Sequence, residues 1–196
     1  GAAAQTNLDE FFQEGKIRTL ILSGRNNHDW RATTPFLRRI LETAGRFDVR
    51  VVEEPSGLAL DTVLQYDLIV LDYNGPRWGH DAERAVGSAV RVGKGLVVVH
   101  GASYAFGNLP VLGDRHKKTN VVEKPWGDYA DMVGASWTAG PPKTGHGPRH
   151  VFEVKFTDSE HPIAKGMPKS FLISDELYHN MALKPNIKVL ATAFDD

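Results

Sequence analysis

Two histidines follow apolar segments of this chain and could carry acid–base or metal chemistry. His28 follows the run Ile17–Leu22, and His100 directly follows Leu96-Val97-Val98-Val99. Short apolar runs of this kind predict buried parallel strands, and open α/β sheets bind ligands at the carboxyl ends of their strands. We therefore expect the two imidazoles to meet at one edge of a sheet, where they could act as acids, bases or metal ligands.

Polar residues at neighbouring strand ends add candidates for substrate binding. Asp72 and Asn74 follow the apolar run at 68–71, and Ser103 lies in Gly101-Ala102-Ser103-Tyr104-Ala105. That last segment is close to the nucleophile elbow of serine hydrolases but lacks its final glycine. We expect Ser103 to cap a helix or donate a hydrogen bond rather than attack a substrate.

Two further segments carry histidines and carboxylates. His146 and His150 are four residues apart, as in some zinc sites, but Gly147 and Pro148 between them predict a loop. Either this loop adds His146 to the site as a ligand or an acid–base group, or its histidines only cap the loop and begin the next strand. In Asp175-Glu176-Leu177-Tyr178, Glu176 could act as a general base or orient a histidine; the alternative is a solvated acidic turn.

The elements that must position these residues alternate between strand and helix, which predicts a parallel, doubly wound sheet. The sequence between 101 and 149 is rich in glycine, proline and aromatic residues, and long connections of this kind are usually functional. We predict strands at 17–22, 49–52, 68–71, 96–99, 151–156 and 189–193, a helix capped by Thr34 with Pro35 at its first position, and a helix at about 81–92.

Composition excludes several classes of site. The chain has 196 residues, a net charge of −1 and no cysteine, so a nucleic-acid footprint, disulfides and thiolate chemistry are not expected. No apolar run could span a bilayer, and no glycine-rich phosphate loop predicts a nucleotide.

The start Gly1-Ala2-Ala3-Ala4-Gln5 is typical of a chain cut after a signal peptide. We therefore expect a periplasmic or secreted protein, with a cytoplasmic location as the alternative.

Five motifs follow one another along the chain: Asn27-His28-Asp29-Trp30, Val99-His100-Gly101-Ala102-Ser103, Gly145-His146-Gly147-Pro148-Arg149-His150, His161-Pro162-Ile163 with Gly166-Met167-Pro168, and Asp175-Glu176-Leu177-Tyr178. Together they resemble the ThuA-like family, named for trehalose utilisation. The resemblance implies a three-layer, flavodoxin-like α/β fold of the class I glutamine-amidotransferase type, with a mostly parallel central sheet and a role in carbohydrate catabolism. Glutamine hydrolysis is excluded, because no cysteine stands after the central strand.

From these observations we expect an N-terminal extension at 1–15 and a single ThuA-like α/β domain at 16–196. Members of the family usually continue with one more strand and a Gly-His turn, so the chain is expected to be truncated at its C-terminus.

The predicted function is acid–base chemistry on a sugar or keto-sugar, giving isomerisation, elimination or hydrolysis. One divalent metal, zinc or a similar ion, would assist, the small-molecule sugar is the expected partner, and a homo-oligomer is possible. One alternative is a non-catalytic carbohydrate-binding or scaffold domain, and another is a glycoside hydrolase with Asp72 and Glu176 as its acids. For catalysis we predict His28, His100 and Glu176, with His146 or His150 completing the site. For substrate binding we predict Trp30, Asn74, Ser103 and Tyr178, while Trp126 and Trp137 either stack on sugars or pack the loop. The predicted metal ligands are His28, His100 and His146.

Overall fold

The computed structural model describes residues 11–114 and 118–194, and the chain divides into two compact units after Val133. The first unit is built on four parallel strands, hydrogen-bonded in the order β2-β1-β3-β4. Its elements are β1 (Ile17–Leu22), α1 (Trp30–Thr43), β2 (Phe47–Val52), a 3-10 turn (Pro55–Gly57), α2 (Leu60–Val63), β3 (Leu68–Leu71), α3 (His80–Arg91), β4 (Gly95–Val98), a second 3-10 turn (His100–Tyr104), β5 (Pro110–Leu112), β6 (Lys118–Val122) and α4 (Tyr129–Val133).

The central strands are apolar because both of their faces are buried. Leu20 and Leu71 pack in one cluster with residues of α2 and α3, such as Val63 and Val86. The residues that alternate with them pack on the other face, where Ile21 and Val70 contact Leu37 and Leu41 of α1. This two-sided burial explains why the sequence reads as continuous apolar runs rather than as alternation.

The predicted start of the first helix is wrong. Helix α1 begins at Trp30 with Asp29 as its N-cap, so Pro35 lies inside the helix rather than at its first position. The Asp29 carbonyl already accepts the amides of Ala32 and Thr33 at 3.0 Å, which forms the first turn upstream of the proline. Thr34 does not cap the helix, because its hydroxyl is bonded to buried polar groups of the sheet edge.

The other boundaries that are predicted in the first unit lie within two residues of the observed ones, whereas no prediction covers α2, β5, β6 or α4. Strand β2 starts at Phe47 rather than Val49, and α3 spans His80–Arg91. Strand β4 ends at Val98, although the Val99 amide still donates to the Leu71 carbonyl at 3.0 Å. His100 therefore lies one residue beyond this hydrogen bond between the ends of β4 and β3.

An aromatic cluster fills the core beside β3 and α3. Trp78 and Trp126 have ring centroids 5.9 Å apart, and Phe106 lies 5.0 Å from Trp78. Tyr73 stacks on Phe106 from one side, and Tyr129 meets it edge-on from another. Trp126, for which sugar stacking and loop packing were both open, is a packing residue of this cluster.

The second unit, which begins at Gly134, contains a three-stranded antiparallel sheet in the order β10-β9-β13. Two short antiparallel pairs, β7 with β12 and β8 with β11, complete it. Its strands are β7 (Ala135–Ser136), β8 (Gly145–His146), β9 (His150–Phe156), β10 (Ser170–Asp175), β11 (Tyr178–His179), β12 (Ala182–Leu183) and β13 (Ala191–Thr192).

None of the helices in the two described ranges is long and apolar enough to cross a membrane. The predicted N-terminal extension lies outside the described residues up to residue 10, and so does the signal-peptide boundary expected at its start.

Candidate functional site

His28 and His100 meet at the carboxyl edge of the parallel sheet. Strand β3 lies between β1 and β4, so the segments that leave these two neighbouring strands approach each other across the end of β3. The ring centroids of His28 and His100 are 4.7 Å apart, and the ring planes are inclined by 63°. The structure thus brings together the two imidazoles on which the sequence argument depends.

Gly101 makes this close approach possible. A Cβ at position 101 would lie 2.8 Å from the Nδ2 atom of Asn74 and 3.0 Å from the Cε1 and Nδ1 atoms of His28. These distances are shorter than ordinary van der Waals contacts, so any side chain at position 101 would displace Asn74 or the His28 ring from their places beside the end of β4.

His100 adopts a positive φ of 41°, which turns the chain sharply after β4. This left-handed conformation costs a non-glycine residue about 1–2 kcal/mol. Two hydrogen bonds hold the turn: Ser103 Oγ donates to the His100 carbonyl at 2.8 Å, and the Ala102 amide donates to the Val99 carbonyl at 2.9 Å. Ser103 therefore acts as a hydrogen-bond donor within the turn, one of the two roles expected for it.

Asp72 is a buried carboxylate beneath the histidine pair, only 3% exposed. It accepts hydrogen bonds from Thr34 Oγ1 at 2.7 Å, Thr33 Oγ1 at 3.0 Å and Asn26 Nδ2 at 3.2 Å. Burial raises the pKa of Asp72 above its ordinary value, and the hydrogen bonds from the threonines, the nearby charge of His28 and the Asn26 bond oppose that rise. A carboxylate occupied in this way is a poor acid for the glycoside-hydrolase alternative, which needs both carboxyl groups at the scissile bond.

Asn26 connects Asp72 to His28, and sequence reasoning missed it. Its Oδ1 atom accepts the His28 backbone amide at 2.9 Å and lies 3.0 Å from His28 Nδ1. An asparagine two residues before a histidine is the local signal that could have revealed this contact, because Asn side chains commonly bond to backbone two residues on.

Asn74 joins the three segments that leave β1, β3 and β4. Its Oδ1 atom accepts the Asn27 amide at 3.0 Å, while Nδ2 donates to Asn27 Oδ1 and, at 3.3 Å, to the Gly101 carbonyl. Asn74 is only 2% exposed. Its amide is thus used to hold the site together, and the predicted contact with substrate is untested.

Trp30, also predicted to bind substrate, is buried at the start of α1. Its indole Nε1 donates to Asp114 Oδ1 at 3.0 Å, and the Arg31 guanidinium lies 4.2 Å from the ring centroid. Arg31 also pairs with Asp114 at 3.1 Å. Trp30 therefore anchors the segment after β5 to α1, and one face of its ring is covered by an arginine.

In the second unit, His146, Glu176 and Tyr178 form their own cluster. Strand pairing sets Tyr178 opposite His146, and His146 Nε2 lies 3.6 Å from Glu176 Oε2. Trp137 meets Tyr178 edge-on with centroids 5.0 Å apart. Burial, followed by the charges of Glu176 and Asp175, raises the pKa of the Tyr178 phenol, which keeps it protonated at neutral pH.

His150 is the first residue of β9, as expected if the second histidine of this loop begins the next strand. Its ring packs on Phe152 at 5.2 Å, its Nδ1 lies 3.0 Å from the Pro148 carbonyl oxygen, and it stands opposite Asp175 in the strand register. These contacts give His150 a structural place in the sheet.

Within the first unit, His28 and His100 each offer a ring nitrogen that could bind a divalent ion, and these two atoms lie within 4.8 Å of each other. The hydrogen bond from His28 to Asn26 is of the kind that orients metal-ligating histidines. A catalytic zinc site uses three protein ligands, so the pair fits as part of a set. His146, the remaining ligand predicted from the sequence, belongs to the second unit, and its role as a ligand stays a prediction.

Comparisons with known proteins agree with this fold. The sequence model of the ThuA family, described as trehalose utilisation, matches residues 18–196. The crystal structure of a ThuA-like protein from Parabacteroides merdae ATCC 43184 superposes with a TM-score of 0.68 and 30% identity, over 92% of this chain and 69% of the other.

A second crystal structure, of a ThuA-like protein from Bacteroides uniformis ATCC 8492, has a TM-score of 0.62 and 18% identity. It covers 85% of this chain, which spans 62% of that relative's length. No curated protein matches the sequence.

Proposed function

Because the chain belongs to the ThuA family, described as trehalose utilisation, we propose that it acts on a sugar or keto-sugar by proton transfer at His28 and His100. The observation that carries the proposal is the pairing of these imidazoles 4.7 Å apart at the carboxyl edge of a parallel sheet. Ligands of such sheets bind at this edge, and an unperturbed imidazole titrates near pH 6.5, which suits both acid and base roles.

The chemistry that fits two adjacent imidazoles is proton transfer next to a carbonyl. One neutral imidazole takes the proton from the carbon beside the carbonyl group. The other, protonated, donates to the carbonyl oxygen as negative charge develops there. In an isomerisation, the first proton returns to the former carbonyl carbon while the hydroxyl on the carbon that lost it passes its proton to the second imidazole, which forms the new carbonyl group. In an elimination, the first imidazole protonates the leaving β-hydroxyl, which departs as water, while the second imidazole takes back the proton of the enol oxygen.

A divalent metal bound by His28 and His100 would polarise the substrate oxygen or activate water. Glu176 remains the proposed carboxylate partner of this chemistry. Within its own unit it already faces an imidazole, that of His146, at 3.6 Å.

The strand order β2-β1-β3-β4 supports the finer proposal of a flavodoxin-like arrangement, in which the chain crosses from one side of β1 to the other.

The first measurement is the metal content of the purified protein by mass spectrometry, before contact with a chelator or a nickel column. About one zinc, manganese or iron per chain in the wild type, lost in both His28→Ala and His100→Ala, supports the metal-assisted form. His80→Ala is the matched control, because that side chain is 83% exposed and pairs with Asp81. Metal content that is unchanged in all variants rejects His28 and His100 as ligands.

Turnover separates catalysis from mere binding. The same variants are assayed on a panel of aldoses, ketoses and oxidised sugars, with sugar binding followed by calorimetry. Loss of about a hundredfold or more in turnover by His100→Ala, with binding retained, is the expected result, since general acid–base groups contribute roughly 10²–10⁴-fold. Turnover that survives unchanged in His100→Ala rejects the catalytic assignment, and binding without turnover in the wild type favours a carbohydrate-binding domain.

A further inference from the structure

A chain of hydrogen bonds leads from the buried carboxylate of Asp72 to the ring of His28. Asp72 Oδ1 accepts from Asn26 Nδ2, and Asn26 Oδ1 faces both the backbone amide and the Nδ1 atom of His28. Asn26 is itself only 3% exposed. Each link in this chain has a direction, because an amide nitrogen can only donate and an amide oxygen can only accept.

The orientation of the Asn26 amide is fixed from both of its ends. Its nitrogen needs an acceptor, which Asp72 supplies, and its oxygen needs a donor, which the His28 backbone N–H supplies at 2.9 Å. A flipped amide would set its NH₂ group against the backbone N–H and its oxygen against a carboxylate. Both contacts would leave buried polar groups unsatisfied, at a cost of about 1–3 kcal/mol each.

We propose that Asp72, acting through Asn26, sets the tautomer of His28, so that Nδ1 carries the proton and Nε2 carries the lone pair. His28 Nδ1 lies 3.0 Å from Asn26 Oδ1. Because this amide oxygen can only accept a hydrogen bond, Nδ1 must donate one. Asp72 and Asn26 are positioning residues in this scheme, because they act on the reaction only through His28.

The tautomer itself follows from the hydrogen bonds, whereas its role in proton transfer rests on the proposed function. A histidine that abstracts a proton, or that binds a metal through Nε2, needs its lone pair on that nitrogen. Free histidine prefers the opposite tautomer, with the proton on Nε2. The hydrogen-bond chain therefore stabilises the tautomer with its lone pair on Nε2, which is the less populated tautomer of free histidine in water.

Nuclear magnetic resonance of protein labelled with ¹⁵N in its histidines tests the tautomer without any substrate. In the metal-free wild type at a pH where the ring is neutral, we expect His28 to show a protonated Nδ1 and an unprotonated Nε2. A protonated Nε2 in the wild type overturns the inference directly.

Variants of Asn26 then separate positioning from simple structural support. Asn26→Leu removes the acceptor while keeping the size of the side chain, and we expect the ring to shift toward the Nε2-protonated tautomer. Asn26→Asp keeps an acceptor beside Nδ1 but brings its second oxygen against Asp72; we expect the two carboxyl groups to share one proton, and the wild-type tautomer to be kept. Thr33→Val, which removes one of the donors to Asp72 but not its bond to Asn26, is the matched control and should also leave the tautomer unchanged.

Unchanged ring signals in Asn26→Leu would overturn the inference, whether or not the protein proves to be an enzyme. Where a turnover assay exists, Asn26→Leu should lower kcat more than it raises KM, and Asn26→Asp should restore part of the loss. A protein that shows the expected tautomers but no turnover on any sugar would leave the tautomer assignment standing and reject the proposed function.

Discussion

At the scale of single residues, the site depends on one position where no side chain fits. Gly101→Ala would place a methyl group within 3.0 Å of both Asn74 and His28. We expect the His28 ring to be displaced and the free energy of unfolding to fall by about 1–3 kcal/mol, as for other overpacked sites. Urea unfolding and the ring signals of His28 measure the two effects.

Gly107→Ala serves as the control for that prediction, because a Cβ at position 107 would meet nothing within 4 Å. Its effect on unfolding should stay within about 0.5 kcal/mol, as is usual for surface changes. Equal losses of stability in Gly101→Ala and Gly107→Ala would show that the close approach of His28 to position 101 is not a packing constraint.

The buried carboxylate of Asp72 leads to a prediction about pH. Burial raises the pKa of this group above its ordinary value of 3.8, so the folded protein holds the proton more tightly than the unfolded chain. As pH rises from 3.8 through the folded pKa, the wild type therefore loses stability relative to Asp72→Asn, which cannot titrate. Denaturant unfolding of both proteins across this pH range should show the difference falling and then levelling off; a difference that rises with pH would contradict the prediction.

At the scale of elements, α4 supports the turn that carries His100. The buried hydroxyl of Tyr129 donates to the Ala102 carbonyl at 2.6 Å, and burial raises the pKa of this phenol, so it remains a donor at neutral pH. Tyr129→Phe removes this bond and leaves that carbonyl with the Ala105 amide, at 3.2 Å, as a donor, so we expect a loss of about 0.5–1.5 kcal/mol in the free energy of unfolding.

Tyr104→Phe is the matched control for Tyr129→Phe. Its hydroxyl donates to the Pro110 carbonyl at 2.9 Å in a more exposed setting, where water can replace the lost donor. Thermal or urea unfolding should show a clearly smaller loss than in Tyr129→Phe; losses of similar size would mean that the Ala102 contact adds little beyond an ordinary surface hydrogen bond.

Comparison of the elements with their predictions shows what the sequence can specify. The observed bounds of the buried strands β1 and β3 equal the predicted ones, because each strand ends in a run of apolar residues, Leu20–Leu22 and Leu68–Leu71, that polar residues follow. The predicted start of α1 is wrong. A threonine followed by a proline is common at helix N-termini, but here the Thr34 hydroxyl forms tertiary hydrogen bonds to Asp72 and Ser23 instead of capping the helix.

The candidate site was predictable to a similar, limited degree. The meeting of His28 and His100 followed from strand ends sharing an edge of a sheet. The role of Asn26 did not, because its partner Asp72 is 46 residues away and only the fold brings them together. The contact of Asn74 with substrate stays a prediction, whereas the bonds of its amide to Asn27 and Gly101 could not be predicted, because the fold alone brings these segments together.

At the scale of the whole molecule, the two units differ in how well their sheets are buried. Strand β3 is central and its residues Ile69–Leu71 are nearly inaccessible, whereas Leu172 in strand β10 of the second unit is 72% exposed. Amides of well-buried central strands exchange through larger openings than those of exposed edge strands. We expect β3 amides to exchange with deuterium at least about tenfold more slowly than β10 amides, as measured by mass spectrometry of peptides; equal rates would contradict this.

The aromatic cluster of the first unit also gives the protein a natural optical reporter. Trp78 and Trp126 lie 5.9 Å apart, close enough for their indole transitions to couple and to give a signed pair of bands in near-ultraviolet circular dichroism. Trp137 is the tryptophan of the second unit, so Trp137→Phe would leave tryptophan bands that belong to the first unit alone. The unfolding of the first unit can thus be followed by light, with no dye or label attached.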